Sequence, residues 1–216
     1  MNPLVLVFFL HNVVATLLLG FKFRGRSDAV VKHFGTALVL NGIAFAVWSV
    51  AVVTKPQSLE NYITVGALFF VASLVAFLAA DLQSIDASKR RTFLMAGGIV
   101  ALILFLARSF VYQSQPYFSP EGLFFFNPHP VVQLIYVFGL AFAALPAVDA
   151  LASKFSNLTY SRLVRYGFVA EVMGGLILIT STNAVLLYLT GWIIGGVYLV
   201  LWTSLLFSKK AWEGMS

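Results

Sequence analysis

The chain has no cysteine among its 216 residues, and this absence removes several functions at once. It excludes disulfides, thiolate nucleophiles, iron–sulfur clusters and cysteine-based zinc sites. Three histidines remain, but His11 is predicted near the centre of an apolar segment while His33 and His129 are predicted at opposite boundaries. No two histidines match in depth for haem ligation, and an intramembrane zinc site would lack a third ligand. We therefore expect no cofactor and no metal.

Charge is also scarce. Only 10% of the residues are charged, against roughly a quarter in soluble domains, while 60% are hydrophobic and the mean hydropathy is +0.92. The net charge of +6 does not indicate a nucleic-acid partner, because the basic residues lie in short loops between apolar segments. The composition predicts an all-α, multi-pass integral membrane protein whose first partner is the lipid bilayer.

Seven apolar segments meet or approach the ~20 residues that a helix needs to cross a membrane. We predict one domain over 1–216, a seven-transmembrane-helix bundle with helices at about 3–20, 33–53, 62–80, 93–112, 131–148, 166–182 and 185–207. The first segment lacks a basic leader and a small-residue cleavage pattern, so it is read as a retained helix and not as a signal peptide.

The basic residues predict the orientation of this bundle. If the N-terminus lies outside, the inner loops carry twelve of them, and the outer loops carry only Lys55; the twelve are Lys22, Arg24, Arg26, Lys32, Lys89, Arg90, Arg91, Lys154, Arg162, Arg165, Lys209 and Lys210. Cytoplasmic loops are enriched in Lys and Arg. The expected topology is N-terminus outside and C-terminus inside, in a cytoplasmic or plasma membrane.

The longest loop, 113–130, contains four prolines and five aromatic residues. This proline spacing is incompatible with a regular helix, and Phe124, Phe125 and Phe126 would be costly if they were exposed to water. Two interpretations stay open: a lid folded over the outer mouth of the bundle, or an anchor that lies in the lipid headgroups.

Polar side chains are predicted at membrane depth on three helices. His11, Asn12 and Asn41 are expected close to the midplane, with Glu171 a few ångströms to its inner side. An intramembrane carboxylate is a functional candidate by default, and a pair of His11 and Glu171 could bind a ligand or carry a proton. A purely structural network of hydrogen bonds between helices is the alternative.

Arg108 is predicted about one and a half turns from the outer end of the fourth segment. It could extend to the headgroups, or it could turn inward to bind an anionic ligand group, pair with Glu121, or reach toward Glu171. Two further acids, Asp81 and Asp149, fall at inner helix ends, and each is expected to pair with a nearby Lys or Arg.

The segments also show a weak internal repeat. Asn2-Pro3 precedes the first helix and Asn127-Pro128 the fifth, while Lys32-His33-Phe34-Gly35 and Arg165-Tyr166-Gly167 open the second and sixth. Two parallel triplets joined by a fourth helix resemble the 3+1+3 arrangement of SWEET sugar transporters. That family has a proline in both helices one and five; here helix five contains Pro146, whereas helix one has none beyond Pro3.

The leading functional hypothesis is a receptor-like or sensor-like bundle that binds a small apolar ligand or lipid between the outer mouth and the midplane. A partner protein would read the resulting shift in helix packing. The candidate ligand-binding residues are His11, Asn12, Asn41, Arg108, Phe124, Phe125, Phe126 and Glu171. The alternatives are a transporter of small solutes and, with least support, an intramembrane enzyme using Glu171 and His11; no catalytic residue is assigned.

Overall fold

The computed structural model describes residues 3–55, 57–120 and 122–213; within helices, it leaves the side chains of residues 3–9, 178–179, 188, 192–199 and 202–203 undescribed. The long helices of this part of the chain are α1 (Pro3–Arg24), α2 (Ala29–Thr54), α3 (Leu59–Asp81), α4 (Ala87–Phe110), α5 (Pro130–Ala152), α6 (Leu158–Thr180) and α7 (Ala184–Phe207). Short 3₁₀ turns follow α3 at Leu82–Ser84 and α7 at Lys210–Trp212.

Four helices within the described residues are long and apolar enough to cross a membrane. They are Ala29–Thr54, Leu59–Ser84, Ala87–Phe110 and Pro130–Ala152. The predominance of helix and the length of these four segments support the predicted all-helical membrane protein.

Several helices begin earlier than the apolar segments that predicted them. Asp28 caps α2 by accepting a hydrogen bond from the Val31 amide at 3.1 Å, and Asn157 caps α6 by accepting one from the Thr159 amide at 2.9 Å. Capping residues fix helix starts independently of hydropathy. The helices therefore extend past the apolar segments into their basic loops, which depth counting alone could not indicate.

The bundle has two ends, which are named for the 113–130 loop and for the basic residues. The hairpin end contains Thr54, Leu59, Phe110 and Ala184, and the basic end contains Arg24, Ala87 and Leu158. Helix α2 packs along both α1 and α3, while α6 packs against α5 and α7, and α7 closes the bundle against α1. The buried ring of Phe34 joins several helices near the basic end, because it contacts Phe23, Phe77 and Phe168 with ring centroids 5.0–6.0 Å apart.

Glycines allow the closest helix contacts. A Cβ atom added at Gly66 of α3 would overlap the indole of Trp48 on α2, which is 4% exposed. Small residues permit this approach of two backbones in lipid, where apolar burial gives little drive to helix association. Trp48 also directs its Nε1 toward the carbonyl oxygen of Ile63 at 3.5 Å.

The Gly66→Ala variant is expected to lower the free energy of unfolding by about 1–3 kcal/mol, the usual cost of overpacking. The matched control is Gly98→Ala on α4, because a Cβ atom at Gly98 meets nothing within 4 Å. Unfolding in mixed micelles of a mild detergent and SDS measures both variants. Equal stability of the two would contradict the proposed α2–α3 contact.

Helix α4 lies at the periphery. Arg108 is its one buried residue, and its large apolar side chains are mostly exposed. Helix α4 is attached to α3 and to the turn after it along its whole length. At the basic end Arg90 donates to Gln83 Oε1 of the turn at 2.7 Å, in the middle Gly97 lies close to Leu78, and near the hairpin end Arg108 pairs with Glu60. Helix α4 is thus attached mainly by polar groups and close backbone approach.

Helix α5 is interrupted by a π-helical turn at Leu140–Ala144, directly before Pro146. Proline lacks an amide hydrogen and its ring clashes with the carbonyl four residues earlier, so a regular α-helix cannot pass it undisturbed. The widened turn accommodates the proline while the chain remains helical.

The 113–130 loop forms a small antiparallel hairpin of β1 (Tyr117–Phe118) and β2 (Phe124–Phe125). Its turn includes Gly122 at φ 77°, a conformation that glycine adopts without strain. Phe126 packs edge-on against Trp48 of α2 at 5.1 Å, and Phe125 clusters with Leu187 of α7. The loop therefore covers helix ends, as the lid interpretation expects, although the strands were not predicted.

The segment after α7 folds back onto the basic end. Trp212 is 8% exposed and lies between Phe23 and Phe155, with ring centroids at 5.2 and 6.2 Å. The cations of Lys22 and Arg26 lie 4.6 and 4.7 Å from the indole centroid. The indole Nε1 donates to the carbonyl of Leu205 at 2.6 Å, so this single side chain ties α7 to α1 and to the α5–α6 loop.

Candidate functional site

The most deeply buried charge among the described side chains is Arg108, in the last turn of α4. Only 2% of the surface of Arg108 is exposed. The guanidinium turns toward α3 and the hairpin loop, so the alternative in which it extends to the headgroups does not apply. A buried cation must be paired and hydrogen-bonded, because an isolated one costs many kcal/mol.

Its partner is Glu60, in the first turn of α3. Arg108 Nη1 lies 2.7 Å from Glu60 Oε1, and the side chain of Glu60 is 24% exposed. The sequence predicts Glu121 or Glu171 as the acid that an inward-facing Arg108 approaches. Glu121 lies outside the described residues, and the ion pair with Glu60 was not predicted.

Hydroxyl groups complete the surroundings of this pair. Arg108 Nη1 also donates to Thr64 Oγ1, Arg108 Nη2 donates to Ser114 Oγ at 3.3 Å, and Thr64 Oγ1 donates to Glu60 Oε1 at 3.2 Å. The buried Tyr136 of α5 lies close enough for the charges of Arg108 and Glu60 to act on its hydroxyl. These five residues, Glu60, Thr64, Arg108, Ser114 and Tyr136, are called the outer polar cluster below.

Two atoms of the outer polar cluster lack a hydrogen bond. Glu60 Oε2 and Arg108 Nε are buried, and neither has a partner among the described residues. One is an acceptor and the other a donor. Most buried polar atoms in proteins have a hydrogen-bond partner. An acceptor and a donor without partners in the same ion pair therefore mark a place where a further polar group would be stabilised.

The helix ends explain why these residues meet. Consecutive antiparallel helices bring the first turn of α3 beside the last turn of α4. An acid in a first turn and a base in a last turn each interact favourably with the helix dipole. The sequence contains a signal for this pair, because Glu60 lies two residues before the third predicted segment and Arg108 lies near the end of the fourth.

The three phenylalanines that the sequence predicts as ligand-binding residues follow Ser114 in the same loop, but their side chains are buried by packing. Phe124, Phe125 and Phe126 are only 3–5% exposed. Phe124 packs against Phe126 at 5.0 Å and against Phe118 at 5.3 Å, and Phe125 stacks on Tyr117 at 5.0 Å. In this structure the three rings fix the hairpin to the bundle.

The predicted midplane groups on α1 and α2 are offset. Asn12 and Asn41 are buried and His11 is half-buried. Gly42 faces Thr16 across the α1–α2 contact. Asn12 lies four residues before Thr16, and Asn41 lies one residue before Gly42 on the antiparallel helix, so Asn12 is about 7.5 Å nearer the hairpin end than Asn41.

Glu171 is half-buried on α6. It follows Phe168 by three residues, about 5 Å along the helix, and the ring of Phe168 packs against that of Phe34 on α2 with centroids 5.1 Å apart. The polar layer that the sequence predicts, with its pair of His11 and Glu171, stays a prediction.

Two ion pairs at the basic end join α5 to α6 and the loop after α5 to the start of α2. Arg165 Nε lies 2.7 Å from Asp149 Oδ1, and Lys154 Nζ lies 2.9 Å from Asp28 Oδ2. The predicted pairing of Asp149 is therefore present. Asp81 differs, because none of the ion pairs within residues 3–55, 57–120 and 122–213 includes it.

The pair of Asp28 and Lys154 predicts a pH dependence of stability. Burial raises the pKa of Asp28, but hydrogen bonds from Lys154 and the Val31 amide, with the Lys154 charge, lower it below its ordinary value. A depressed carboxyl pKa stabilises the fold above the unfolded pKa of about 3.9, and this contribution is lost as the pH falls through the folded pKa.

The Asp28→Asn variant tests this expectation, because asparagine keeps the helix cap but removes the charge. The difference in melting temperature between the native protein and this variant should be constant above about pH 5 and shrink progressively below about pH 4. A difference that is unchanged down to pH 3 would contradict the assigned interaction.

No model of a known protein family and no curated protein sequence matches this chain. The fold and the site define a predominantly helical protein that is suited to a membrane. It contains a buried ion pair between α3 and α4, beside the 113–130 loop.

Proposed function

We propose that this chain is a receptor-like seven-helix membrane protein with its N-terminus outside and its C-terminus inside. All seven long helices cross the bilayer. The proposal is supported by the match between each predicted apolar segment and one helix, by the four helices that meet the length and hydropathy expected of membrane spans, and by the basic residues at one end of the bundle.

In this proposal the outer polar cluster is the ligand-binding site. A buried Arg–Glu pair contributes little net stability, since desolvation offsets most of the attraction. Here the pair also leaves one acceptor and one donor unsatisfied, beside the 113–130 loop that contributes Ser114. These features are typical of a site that recognises a ligand.

The ligand is a small, mostly apolar molecule or a lipid with one neutral polar group. A ligand anion would be repelled by Glu60, and a ligand cation by Arg108, because both charges lie at the site. An alcohol or an amide can donate to Glu60 Oε2 and accept from Arg108 Nε at the same time.

The response is a displacement of α4, which a partner protein reads. Arg108 is the one buried residue of α4, so a ligand that competes for its hydrogen bonds acts on the main attachment of that helix near the hairpin end. A ligand shifts such an equilibrium only through different contacts in the two states, and the contacts of Arg108 supply that difference.

The topology is tested by cysteine accessibility, for which a cysteine-free chain is well suited. Single cysteines at Gln57 and Ser119 should react with a membrane-impermeant maleimide in intact cells. Cysteines at Ser88 and Ser156 should react only after permeabilisation. The opposite pattern, or equal labelling of all four, rejects the proposed orientation.

The receptor proposal is tested with a reporter on α4. A single cysteine at Phe110, which is 78% exposed, carries an environment-sensitive fluorophore on the purified protein in micelles. Added 1-decanol should change its emission and raise the melting temperature, while decanoate and decylammonium should do so weakly. The same titration of Arg108→Met corrects for partition into the micelle, and identical responses of the two proteins would reject the proposal.

A second candidate is a transporter of small solutes with 3+1+3 organisation. The observation that favours it is the peripheral position of α4, which joins α1–α2–α3 to α5–α6–α7, with the middle helix of each triplet packed on both neighbours. Uptake of labelled sugars into proteoliposomes tests it. Uptake above that of protein-free vesicles would support a transporter in place of a receptor.

A further inference from the structure

A cavity of about 470 Å³ opens at the basic end, far from the outer polar cluster. Its volume falls within the range of about 300–1,000 Å³ that is typical of small-molecule sites. It lies between the start of α2, the end of α3 with the turn that follows, and the end of α5. The lining residues are Val30, Asp81, Gln83, Ser84, Pro146, Asp149, Ala150, Ser153 and Lys154.

One carboxylate among the residues that line this cavity is not part of an ion pair. Asp149 is neutralised by Arg165 at 2.7 Å, and Lys154 is neutralised by Asp28 at 2.9 Å. Asp81 is half-buried in the wall, and no ion pair within the described part of the chain includes it. The cavity therefore carries one negative charge without a counter-charge, although the loops around it are basic.

The remaining polar groups are mostly acceptors. Both polar atoms of the Gln83 side chain already have hydrogen bonds, since its Nε2 donates to the Ala79 carbonyl at 2.8 Å and its Oε1 accepts from Arg90 at 2.7 Å. The hydroxyl of Ser153 donates to the Ala150 carbonyl at 2.7 Å, and that of Ser84 is directed to the Asp81 carbonyl at 3.4 Å. Each hydroxyl oxygen keeps lone pairs that can accept from a ligand.

We propose that this cavity binds a primary ammonium group. The Asp81 carboxylate supplies the counter-charge, and the hydroxyl oxygens of Ser84 and Ser153 accept from the ammonium. A primary ammonium has three N–H donors and no acceptor, which complements this set. A quaternary ammonium offers the same charge without donors, so the site discriminates against it.

Two sources carry this chemistry at the end of a membrane helix bundle: the ethanolamine headgroup of a phospholipid and a free alkylamine. The polar wall formed by the ends of α3 and α5 lies where helices leave the hydrocarbon, at headgroup level. The site is independent of the receptor proposal, since it shares no residue with the outer polar cluster.

The test is binding to the whole protein in maltoside micelles, measured by native mass spectrometry and titration calorimetry. The probes are dihexanoyl phosphatidylethanolamine, dihexanoyl phosphatidylcholine, ethanolamine and choline. The ethanolamine lipid should bind at least tenfold more tightly than the choline lipid. Free ethanolamine that binds as tightly as its lipid would assign the site to free amines, while equal binding of ethanolamine and choline forms overturns the proposal.

The Asp81→Asn variant should lose tenfold or more of the affinity for the ethanolamine lipid. Asp86→Asn is its control, because Asp86 is an exposed acid of the neighbouring loop that does not line the cavity. Circular dichroism checks the fold. If Asp81→Asn does not fold, Ser84→Ala should still weaken binding severalfold. Unchanged affinity in a folded Asp81→Asn protein, or in Ser84→Ala where only that variant folds, overturns the proposal.

Discussion

Replacing Arg108 with methionine is expected to lower the free energy of unfolding by about 3–5 kcal/mol, the usual cost of removing one partner of a buried ion pair. The substitution leaves Glu60 without its cation and also removes the hydrogen bonds to Thr64 and Ser114. Methionine fills a similar volume, so the loss is mainly electrostatic. Unfolding in mixed micelles of a mild detergent and SDS measures it.

The double variant Glu60→Met with Arg108→Met separates pairing from packing. An apolar pair of similar volume often replaces a buried ion pair without loss, so the double variant should recover most of the stability. Lys55→Met is the control, because Lys55 is an exposed cation at the same end of the bundle. A single Arg108→Met variant as stable as Lys55→Met would show that the ion pair does not hold α4 in place.

The result for Arg108→Met also tests the displacement of α4 that the receptor proposal requires. In lipid, apolar side chains gain little by leaving the acyl chains for another helix, so polar groups and close backbone contacts determine which helices associate. Once Arg108 is removed, α4 keeps the contact between Arg90 and Gln83 and the close approach at Gly97. We therefore expect motion near Phe110 while the basic end of α4 stays in place.

Much of the fold follows from hydropathy, and the exceptions have physical reasons. Each predicted apolar segment lies mostly within one helix, because backbone groups in hydrocarbon must be satisfied within the segment. The starts of α2, α4 and α6 were predicted too late, since these helices begin among polar residues in the basic loops. The hairpin at 117–125 could not be derived, because proline spacing excludes a helix without specifying which strands pair.

The candidate site was harder to predict than the fold. Counting residues predicts an approximate depth for each polar group but not the direction in which its side chain points, so the sequence alone does not decide whether Arg108 faces the headgroups or the bundle. Glu60 was overlooked because it lies at a helix end, where a charge needs no explanation. The offset between Asn12 and Asn41 depends on the register of α1 against α2, for which the contact of Gly42 with Thr16 is the evidence.

Removing the indole at the basic end is the second large effect that we expect. The Trp212→Ala variant should lower the free energy of unfolding by about 3–5 kcal/mol, as for other buried tryptophans. The ring loses its contacts with Phe23 and Phe155, the cation–π contacts of Lys22 and Arg26, and its hydrogen bond to Leu205. The same unfolding assay in mixed micelles measures the change.

The Trp212→Phe and Lys22→Met variants separate the contributions of the aromatic ring, the cation–π contacts and the hydrogen bond to the loss of stability. Phenylalanine keeps an aromatic face for both cations but cannot donate to Leu205, so it should recover about half of the loss. Lys22→Met should cost less than Trp212→Ala, although Lys22 also donates to the carbonyls of Leu205 and Leu206 at the end of α7. If Trp212→Ala proved no more harmful than Lys22→Met, the indole would be a surface contact and α7 would be held to α1 by the lysine alone.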